Sequence, residues 1–448
     1  MISARQIVIV GGVAAGLAAA SRARKRDPAA RVVVLERGGD ISYGACGLTL
    51  NLRDPERSLD DLVGYSPSRL AAERGLDIRL FHEALEVDGR RREVRVACAG
   101  SEHAIPFDSL VIATGSRARC PGWAAHRPEG LFFLRTLEDG RRLKRALMER
   151  ACRRALVVGG GHIGIGVAEA LSARGLAVTM VVRGTAMPPG APPEVTVTVA
   201  EEVRRSGVDV RLGAEVVALG AGERLRQVET TAGRLDADLG MVAVGFEPET
   251  ELARRSGIRL GDTGAIAVNE RLETSLAGVF AAGDCAESHH RLLGRGVFAP
   301  RGTTARRQGR LAGENACGGS AVFGGVVGTA LMKVGGLEVG AVGIDEGQAA
   351  SRGLRPKVVA VRHRTRGRGV PGGSEIFVRL VFDDASKRIL GGWLCGAEGV
   401  ARRLDVLAAA LTAGWALSDL ESLDAGYTPA LSPVDDPLLL AAHEGLKL

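Results

Sequence analysis

Aromatic residues are scarce in this chain, where phenylalanine, tryptophan and tyrosine together make up 4% of 448 residues. Long apolar runs are also missing: the longest near the C-terminus, around residues 406–417, is too short to span a bilayer. The net charge of +7 is modest, and the arginines are spread along the chain without interleaved aromatic residues. We therefore expect a soluble protein with no membrane partner. Nucleic-acid binding is weakly supported, because a protein that handles phosphorylated small molecules would have the same charge.

Paired cysteines are missing as well. The number of cysteines is odd and none of them forms a Cys-x-x-Cys pair, so neither a zinc site nor a disulfide framework is supported. A reducing cytoplasm fits this pattern best, and we predict no metal site. The seven cysteines are Cys46, Cys98, Cys120, Cys152, Cys285, Cys317 and Cys395.

Glycine, in contrast, is abundant, with 62 residues in 448. The hydrophobic fraction of 46% excludes a disordered or collagen-like chain, so the glycines indicate many tight loops. A chain of this length exceeds what one hydrophobic core usually supports, and two or three domains are expected.

The first 36 residues predict a dinucleotide-binding βαβ unit. Strand 6–10 is followed by the turn 11–16, a helix to about Arg26, and strand 31–36. Gly11 would allow the tight turn and Gly16 the close packing of helix on strand, while the helix N-terminus would face the pyrophosphate. Glu36, twenty residues after Gly16, would bind a ribose. Val13 replaces the middle glycine of the usual fingerprint.

A second unit of the same kind follows at residues 154–182, and here all three glycines are present, at Gly159, Gly161 and Gly164. Two such units predict two dinucleotides, one held permanently and one exchanged. The second strand ends at Arg183, at the position where an acidic residue would receive the 2′-hydroxyl of NAD. The missing acid favours a 2′-phosphate, hence NADPH.

Two further strand-turn segments, 110–115 and 274–284, place Thr114-Gly115 and Gly283-Asp284 after strands. Asp284 would accept hydrogen bonds from a polyol. Beyond about residue 329 we predict strands 329–334, 358–363, 376–382 and 389–394, with a helix over 400–413. Such an α+β region commonly builds a subunit interface.

Cys46 stands in the small-residue stretch 42–48, just after the first unit. Residues 47–51 contain no second cysteine, so a disulfide formed by Cys46 would need another partner, such as a substrate. The thiolate is the reactive form of cysteine, and small neighbours leave room for approach. From this stretch alone, a reactive cysteine and a buried, inert one are equally good interpretations.

With these motifs in this order, the chain resembles the pyridine nucleotide-disulfide oxidoreductases, and within them the single-cysteine branch of coenzyme A-disulfide reductases, NADH oxidases and NADH peroxidases. The motifs that carry the likeness lie at residues 11–16, 42–47, 302–310 and 403–407. The resemblance implies an α/β fold with two Rossmann-like domains and a C-terminal α+β dimerisation domain. The implied boundaries are 1–118 and 246–328 for the FAD domain, 119–245 for the NAD(P)H domain and 329–448 for the dimerisation domain.

The resemblance also implies site residues. Cys46 would pass electrons to an external acceptor, with Tyr427 reaching across a homodimer, and the cofactors would be FAD with NADPH or NADH. The substrate, a small disulfide or thiol such as coenzyme A, would meet Arg22, Lys25, Ser42, Arg74 and Arg306, although the basic face of the first helix is equally consistent with simple solvation. The cofactor-binding residues would be Gly11, Gly12, Val13, Ala14, Ala15, Gly16, Glu36, Arg37, Ser42, Thr114, Gly115, Gly159, Gly161, His162, Ile163, Gly164, Arg183, Gly245, Gly283, Asp284, Thr303 and Thr304.

Several positions depart from the pattern of these families. Ala14 replaces the histidine of oxidases and peroxidases, which favours a disulfide reductase. Thr49-Leu50 replaces a Pro-Tyr pair after the cysteine, Gly369-Val370 replaces paired tyrosines, His162 replaces an aromatic residue that covers the flavin, and Gly166 replaces a common glutamate. We predict a disulfide or persulfide reductase with coenzyme A disulfide as first candidate, and keep as alternatives an NADH oxidase or peroxidase and a low-turnover redox sensor.

Overall fold

A computed structural model of the protein describes residues 4–149 and 152–448. Numbered in chain order within these residues, the strands are β1 (Gln6–Val10), β2 (Arg31–Glu36), β3 (Asp77–Leu80), β4 (Glu83–Asp88), β5 (Glu93–Cys98), β6 (Ser101–Pro106), β7 (Ser109–Ile112), β8 (Ser116–Ala118), β9 (Leu131–Phe133), β10 (Arg154–Val158), β11 (Ala177–Val182), β12 (Val208–Leu212), β13 (Val216–Leu219), β14 (Gln227–Thr230), β15 (Gly233–Asp236), β16 (Leu239–Val242), β17 (Phe246–Pro248), β18 (Val279–Ala281), β19 (Ser288–His290), β20 (Arg295–Val297), β21 (Ala330–Val334), β22 (Leu337–Gly343), β23 (Pro356–Arg364), β24 (Glu375–Asp383) and β25 (Ile389–Gly396).

The α-helices, numbered in the same way, are α1 (Ala14–Arg26), α2 (Leu48–Arg53), α3 (Pro67–Arg74), α4 (Leu137–Glu149), α5 (His162–Ala173), α6 (Pro193–Arg205), α7 (Glu251–Arg255), α8 (Gly302–Ala316), α9 (Glu346–Ser351), α10 (Val400–Ala413), α11 (Leu417–Glu421) and α12 (Pro437–Leu446). In the part of the chain that the structure describes, none of these helices has the length and apolar character needed to cross a membrane. Short 3₁₀ turns occur at Ala45–Gly47, Leu59–Leu62 and Gly122–Ala124.

The first parallel sheet has the order β18-β7-β1-β2-β3. Its central strand β1 pairs with β2 on one side and β7 on the other. Ile7, Val8 and Ile9 are fully buried because both faces of the sheet are covered, one by α1 and α8 and the other by the antiparallel sheet β4-β5-β6 and α7. The carboxyl ends of these strands therefore meet at one edge, where the first glycine loop lies.

The second parallel sheet repeats this plan in the order β12-β11-β10-β16-β9. Each unit also contains a three-stranded antiparallel sheet: β4-β5-β6 comes just before β7 in the chain, and β13-β14-β15 comes just before β16. The outer strand β18 comes from beyond the second unit, so the chain leaves the first sheet and returns to it. The α/β fold class is confirmed, whereas the four boundary positions stay predictions.

The C-terminal sheet is antiparallel, in the order β21-β22-β25-β24-β23, and α10 and α12 pack on it around a shared apolar core. The sequence predicted its other four strands and α10 but missed β22. This strand contains Gly340, a residue type that is depleted in strands. A side chain at Gly340 would lie 2.9 Å from Leu404 of α10, so the glycine is what allows the helix to approach.

Helices α1 and α8 pack so closely that their backbones are in contact, and this contact positions the site. A Cβ atom on Gly309 would be 2.1 Å from the carbonyl oxygen of Ala15, and one on Gly313 would be 2.2 Å from that of Ala19. Glycines at these positions therefore let the first turns of α1 pack directly on the second half of α8.

Candidate active site

A cavity of about 2570 Å³ lies between the two parallel sheets and the C-terminal sheet. Pockets for one small ligand usually have volumes of roughly 300–1,000 Å³. Its wall includes both glycine loops, Cys46 and residues of the hairpin β21–β22. The cavity is therefore large enough for more than one ligand at a time.

Cys46 belongs to a 3₁₀ turn on the wall of this cavity and is exposed. The loop before it is tied to the first glycine loop, because the Ser42 amide donates to the Gly12 carbonyl at 3.0 Å, and the Gly64 amide donates to the Ser42 carbonyl at 2.7 Å. Ser42 has a φ of 54°, an uncommon value for a residue with a side chain. The structure thus holds the thiol close to the first nucleotide loop and open to the cavity.

The first glycine loop is as compact as the fingerprint requires. Gly11 has a φ of 111°, and a side chain there would overlap the Ala113 carbonyl at 2.2 Å. A side chain on Gly16 would lie 1.8 Å from the Gly11 carbonyl oxygen, so only glycine lets α1 start directly on β1. Val13 caps α1 without a side-chain hydrogen bond, which leaves the first N–H groups of the helix for an anion.

Two carboxylates lie at the carboxyl ends of strands of the first sheet, Glu36 as the last residue of β2 and Asp284 just after β18. Glu36 accepts hydrogen bonds from the amides of Gly12 at 2.8 Å and Gly38 at 2.9 Å, so it braces the loop whether or not a ribose is bound. Asp284 accepts from the Ser116 hydroxyl at 2.9 Å and forms an ion pair with Arg135 at 3.3 Å. These partners hold both acids in place, and sequence reasoning did not predict them.

The second glycine loop repeats the geometry of the first. Gly159 has a φ of 112°, and a side chain on Gly164 would lie 2.0 Å from the Gly159 carbonyl oxygen. Gly161 caps α5 without a side-chain hydrogen bond and faces open space, since a Cβ there would meet nothing within 4 Å. A pyrophosphate can therefore approach the backbone at Gly161.

His162 and Gly166, two positions that depart from the related families, lie on α5. Burial lowers the pKa of His162, and the nearby charge of Arg301 lowers it further, so the imidazole is neutral at pH 7. A side chain on Gly166 would lie 3.0 Å from Thr49 of α2. Thr49 thus occupies space that a larger residue at 166 would need. The departures at positions 49 and 166 are therefore complementary.

A carboxylate that the sequence analysis missed lies close to the end of β11. Arg183 follows β11 as predicted, but Glu215 follows the neighbouring strand β12 and lies 3.8 Å from its guanidinium. The preference for NADPH drawn from Arg183 alone stays a prediction, and Glu215 is a second charged residue that bears on it. Parallel pairing of β11 with β12 brings the two strand ends together. Sequence reasoning would have needed the register of this pairing to find Glu215.

The basic side chains on and beside α1 differ in their partners. Arg22 and Arg26 both pair with Glu314, at 2.7 and 3.0 Å, so the charges of this pair of arginines are partly neutralised. Arg74 donates to the Ser21 hydroxyl at 2.7 Å and stacks on Tyr65. The cavity wall includes Arg22, Lys25, Arg53, Arg74, Arg306 and Arg310 but, in the ranges described, does not include Arg26.

Of the predicted site residues, those that line the cavity are Val13, Ala14, Arg22, Lys25, Ser42, Cys46, Arg74, Gly159, Gly161, His162, Ile163, Arg183, Gly245, Thr303 and Arg306. Those that are not among its lining residues are Gly11, Gly12, Ala15, Gly16, Glu36, Arg37, Thr114, Gly115, Gly164, Gly283, Asp284, Thr304 and Tyr427. Most of the second set form or brace the glycine loops and strand ends. Tyr427 is instead exposed in a C-terminal loop, away from the cavity wall of its own chain.

Comparison with known protein families identifies the class. The family model described as pyridine nucleotide-disulphide oxidoreductase matches residues 5–309, and the corresponding dimerisation domain matches residues 329–436. The chain belongs to the pyridine nucleotide-disulphide oxidoreductase family, which confirms the resemblance seen in the sequence. Proteins of this family use FAD and NAD(P)H, so the predicted cofactor classes are confirmed too.

Particular relatives cover almost the whole chain. An NAD(P)H coenzyme A polysulfide/persulfide reductase from Pyrococcus horikoshii is 34% identical over 98% of both chains, and an NADH oxidase from Methanocaldococcus jannaschii is 32% identical over 98% of both. The solved structure of an NAD-dependent persulfide reductase from A. fulgidus superimposes with a TM-score of 0.95 at 33% identity, covering 99% of this chain and 83% of the other.

The residues present fit FAD at the first loop. Gly11 and Gly16 leave no room for side chains, the start of α1 offers unpaired N–H groups, and Glu36 and Asp284 are acceptors at strand ends. We expect the purified protein to be yellow and to release one FAD per chain on denaturation. Absorbance spectra and chromatography of the released flavin measure this, and a folded but colourless protein would contradict it.

Proposed function

We propose that this protein is an FAD-dependent NAD(P)H oxidoreductase that reduces a disulfide or persulfide of a small thiol through Cys46. The observation that carries the proposal is the exposed Cys46 on the wall of the same cavity as both glycine loops. Cys46 forms no disulfide with any residue that the structure describes. Its exchange partner would come from outside.

The chemistry assigned to Cys46 is thiol–disulfide exchange. The Cys46 thiolate attacks one sulfur of R–S–S–R, so a Cys46–S–S–R bond forms, the substrate S–S bond breaks and RS⁻ leaves. Two electrons then cleave the mixed disulfide, which restores the Cys46 thiolate and releases a second RS⁻. Protons from water convert both products to thiols. With a persulfide R–S–SH, attack on the inner sulfur forms the same mixed disulfide and releases hydrosulfide.

The two nucleotide loops would supply the electrons. FAD bound at the first loop would accept a hydride from NAD(P)H and deliver two electrons to the cysteine. The chain's own part is to position Cys46 through the hydrogen bonds of Ser42 to the first loop and to present the second loop across the same cavity. Burial raises the pKa of Tyr43, which also lines the cavity, so its phenol stays protonated and adds no negative charge to the wall.

The substrate is assigned to coenzyme A-linked sulfur, with coenzyme A disulfide as first candidate and its persulfide close behind. Coenzyme A carries a 3′-phosphate and a pyrophosphate, which need cations, and Lys25 and Arg306 line the cavity without an ion pair in the described residues. The name of the Pyrococcus relative, which contains coenzyme A and persulfide, supports this assignment.

Truncating Lys25 or Arg306 should discriminate between substrates by their phosphates. We expect Lys25→Ala and Arg306→Ala each to raise the KM for coenzyme A disulfide about tenfold, as for loss of one charge-assisted contact, and to leave the KM for pantethine disulfide, which lacks those phosphates, nearly unchanged. Arg26→Ala is the matched control, because Arg26 lies on the same helix but pairs with Glu314. Equal effects on both disulfides would contradict a phosphate-binding role.

The acceptor itself is tested by steady-state oxidation of NAD(P)H with coenzyme A disulfide, coenzyme A persulfide or oxygen as the only acceptor. The proposal expects turnover with a sulfur acceptor to exceed turnover with oxygen by at least tenfold. The Methanocaldococcus relative supports oxygen reduction as a second candidate, whereas Ala14, in place of the histidine of oxidases, argues against it. Turnover with oxygen alone would reject the sulfur assignment, and no turnover at all would leave a redox sensor.

We also propose a homodimer in a reducing cytoplasm. The matched dimerisation domain supports the dimer, and the loop around Tyr427 exposes Leu431 and Val434, each more than 60% exposed in the single chain. Tyr427 would then reach the partner's cavity. Light scattering in solution, repeated on a Leu431→Glu variant, tests the assembly.

A further inference from the structure

The adenosine end of the second nucleotide site combines charges of both signs. Arg183 follows β11 and Glu215 follows β12, and both line the cavity. The strand ends are joined by hydrogen bonds from the Ala214 amide to the Val182 carbonyl at 3.2 Å and from the Gly213 amide to the Gly184 carbonyl at 3.1 Å. This pairing places the two side chains on the same part of the wall.

Hydrogen bonds of its backbone, rather than of its carboxylate, fix the position of Glu215. Its amide donates to the Thr231 hydroxyl at 3.0 Å, and its carbonyl accepts from the Thr231 amide at 2.9 Å. The side chain is 52% exposed and the Arg183 side chain 81% exposed, with the charged groups 3.8 Å apart. The carboxylate is therefore free to contact a ligand while its Cα position stays fixed.

An ion pair this exposed is weak, worth about 0–1 kcal/mol in typical cases. A phosphate monoester carries about −1.5 to −2 charges at pH 7, so a 2′-phosphate would attract Arg183 away from Glu215 and be repelled by the carboxylate. A 2′-hydroxyl would instead find in Glu215 the acceptor that β11 lacks. The two residues thus favour different nucleotides.

We infer that Glu215 is the residue that sets the choice between NADH and NADPH, by opposing Arg183 at the adenosine ribose. The inference rests on the proposed use of the second loop by NAD(P)H and adds which residues read its 2′ group. It predicts that the native protein accepts both nucleotides. Removing the Glu215 charge should turn it towards NADPH, and removing Arg183 should turn it towards NADH.

Calorimetric titration of the FAD-loaded protein with 2′,5′-ADP and 5′-AMP tests this without any sulfur acceptor. We expect Glu215→Gln to lower the Kd of 2′,5′-ADP about tenfold and to raise the Kd of 5′-AMP by less than about threefold. Arg183→Ala should raise the Kd of 2′,5′-ADP about tenfold and leave 5′-AMP unchanged. The double variant should return the ratio of the two constants close to the native value.

Glu229→Gln is the matched control, because Glu229 pairs with Arg234 on the same domain, and neither residue lines the cavity among the residues described. The kcat/KM values for NADPH and NADH with ferricyanide as acceptor should follow the same ratios, through KM rather than kcat. A Glu215→Gln variant whose ratio of constants stays within threefold of the native value would overturn the inference. Because ferricyanide replaces the sulfur substrate, that result would leave the proposed disulfide reduction untouched.

Discussion

Replacing Cys46 by serine is expected to abolish disulfide reduction while leaving the rest of the protein intact. Removing a nucleophile typically costs at least about a thousandfold in rate, and a serine hydroxyl does not exchange with a disulfide. Cys46 is exposed and is not part of the hydrophobic core around it, so the fold and the bound flavin should persist. Activity with coenzyme A disulfide and the visible absorbance of FAD measure the two halves of this expectation.

The matched control is Cys120→Ser, which changes the other cysteine lining the cavity in the described part of the chain. Its sulfur lies 3.7 Å from the Ala124 carbonyl oxygen, in the predicted NAD(P)H domain, and we assign it no role. NAD(P)H oxidation with ferricyanide should survive in both variants. If Cys46→Ser reduced coenzyme A disulfide at the native rate, the thiol would be incidental and the electrons would reach the acceptor by another route.

The second large effect is expected from an alanine at Gly164. The added Cβ would lie 2.0 Å from the Gly159 carbonyl oxygen, and 3.0 Å from its carbonyl carbon, so α5 must shift away from β10. Overpacking of this kind typically costs about 1–3 kcal/mol in stability. A displacement of about 1 Å in a binding element can reduce kcat/KM on the order of a hundredfold, and we expect that loss for NAD(P)H with ferricyanide.

Gly161→Ala separates packing from ligand approach. A Cβ at Gly161 meets no atom of the protein within 4 Å, and its φ of −81° suits alanine, so the Tm should stay at the native value. We still expect a higher KM for NAD(P)H, because the methyl group would stand where the pyrophosphate approaches the backbone. FAD content should be native in both variants. A native KM in Gly161→Ala would show that the pyrophosphate binds elsewhere.

Much of the fold was predictable because its signals are local. The strands β1 and β2 begin and end at the predicted residues, and β10 and β11 begin and end the predicted second unit at residues 154 and 182, since each apolar run is bounded by a glycine turn. The strand β22 was missed because its glycines lower strand propensity, and its place is decided by the approach of α10. Strand propensity describes a segment in isolation, whereas its packing against other elements decides whether it forms a strand.

The candidate site shows the same division. The sequence by itself determined the family, the two glycine loops, the candidate thiol and the acids at strand ends, because each depends on residues a few positions apart. Only the tertiary structure decided which charged side chains pair. Glu314 forms ion pairs with Arg22 and Arg26. Asp284 pairs with Arg135, and Glu215 with Arg183. These partners are up to 292 residues apart in the chain. Electrostatic contacts depend on the distance between charges in space. The register of the sheets and the packing of the helices set that distance, and a local sequence pattern contains no information about it.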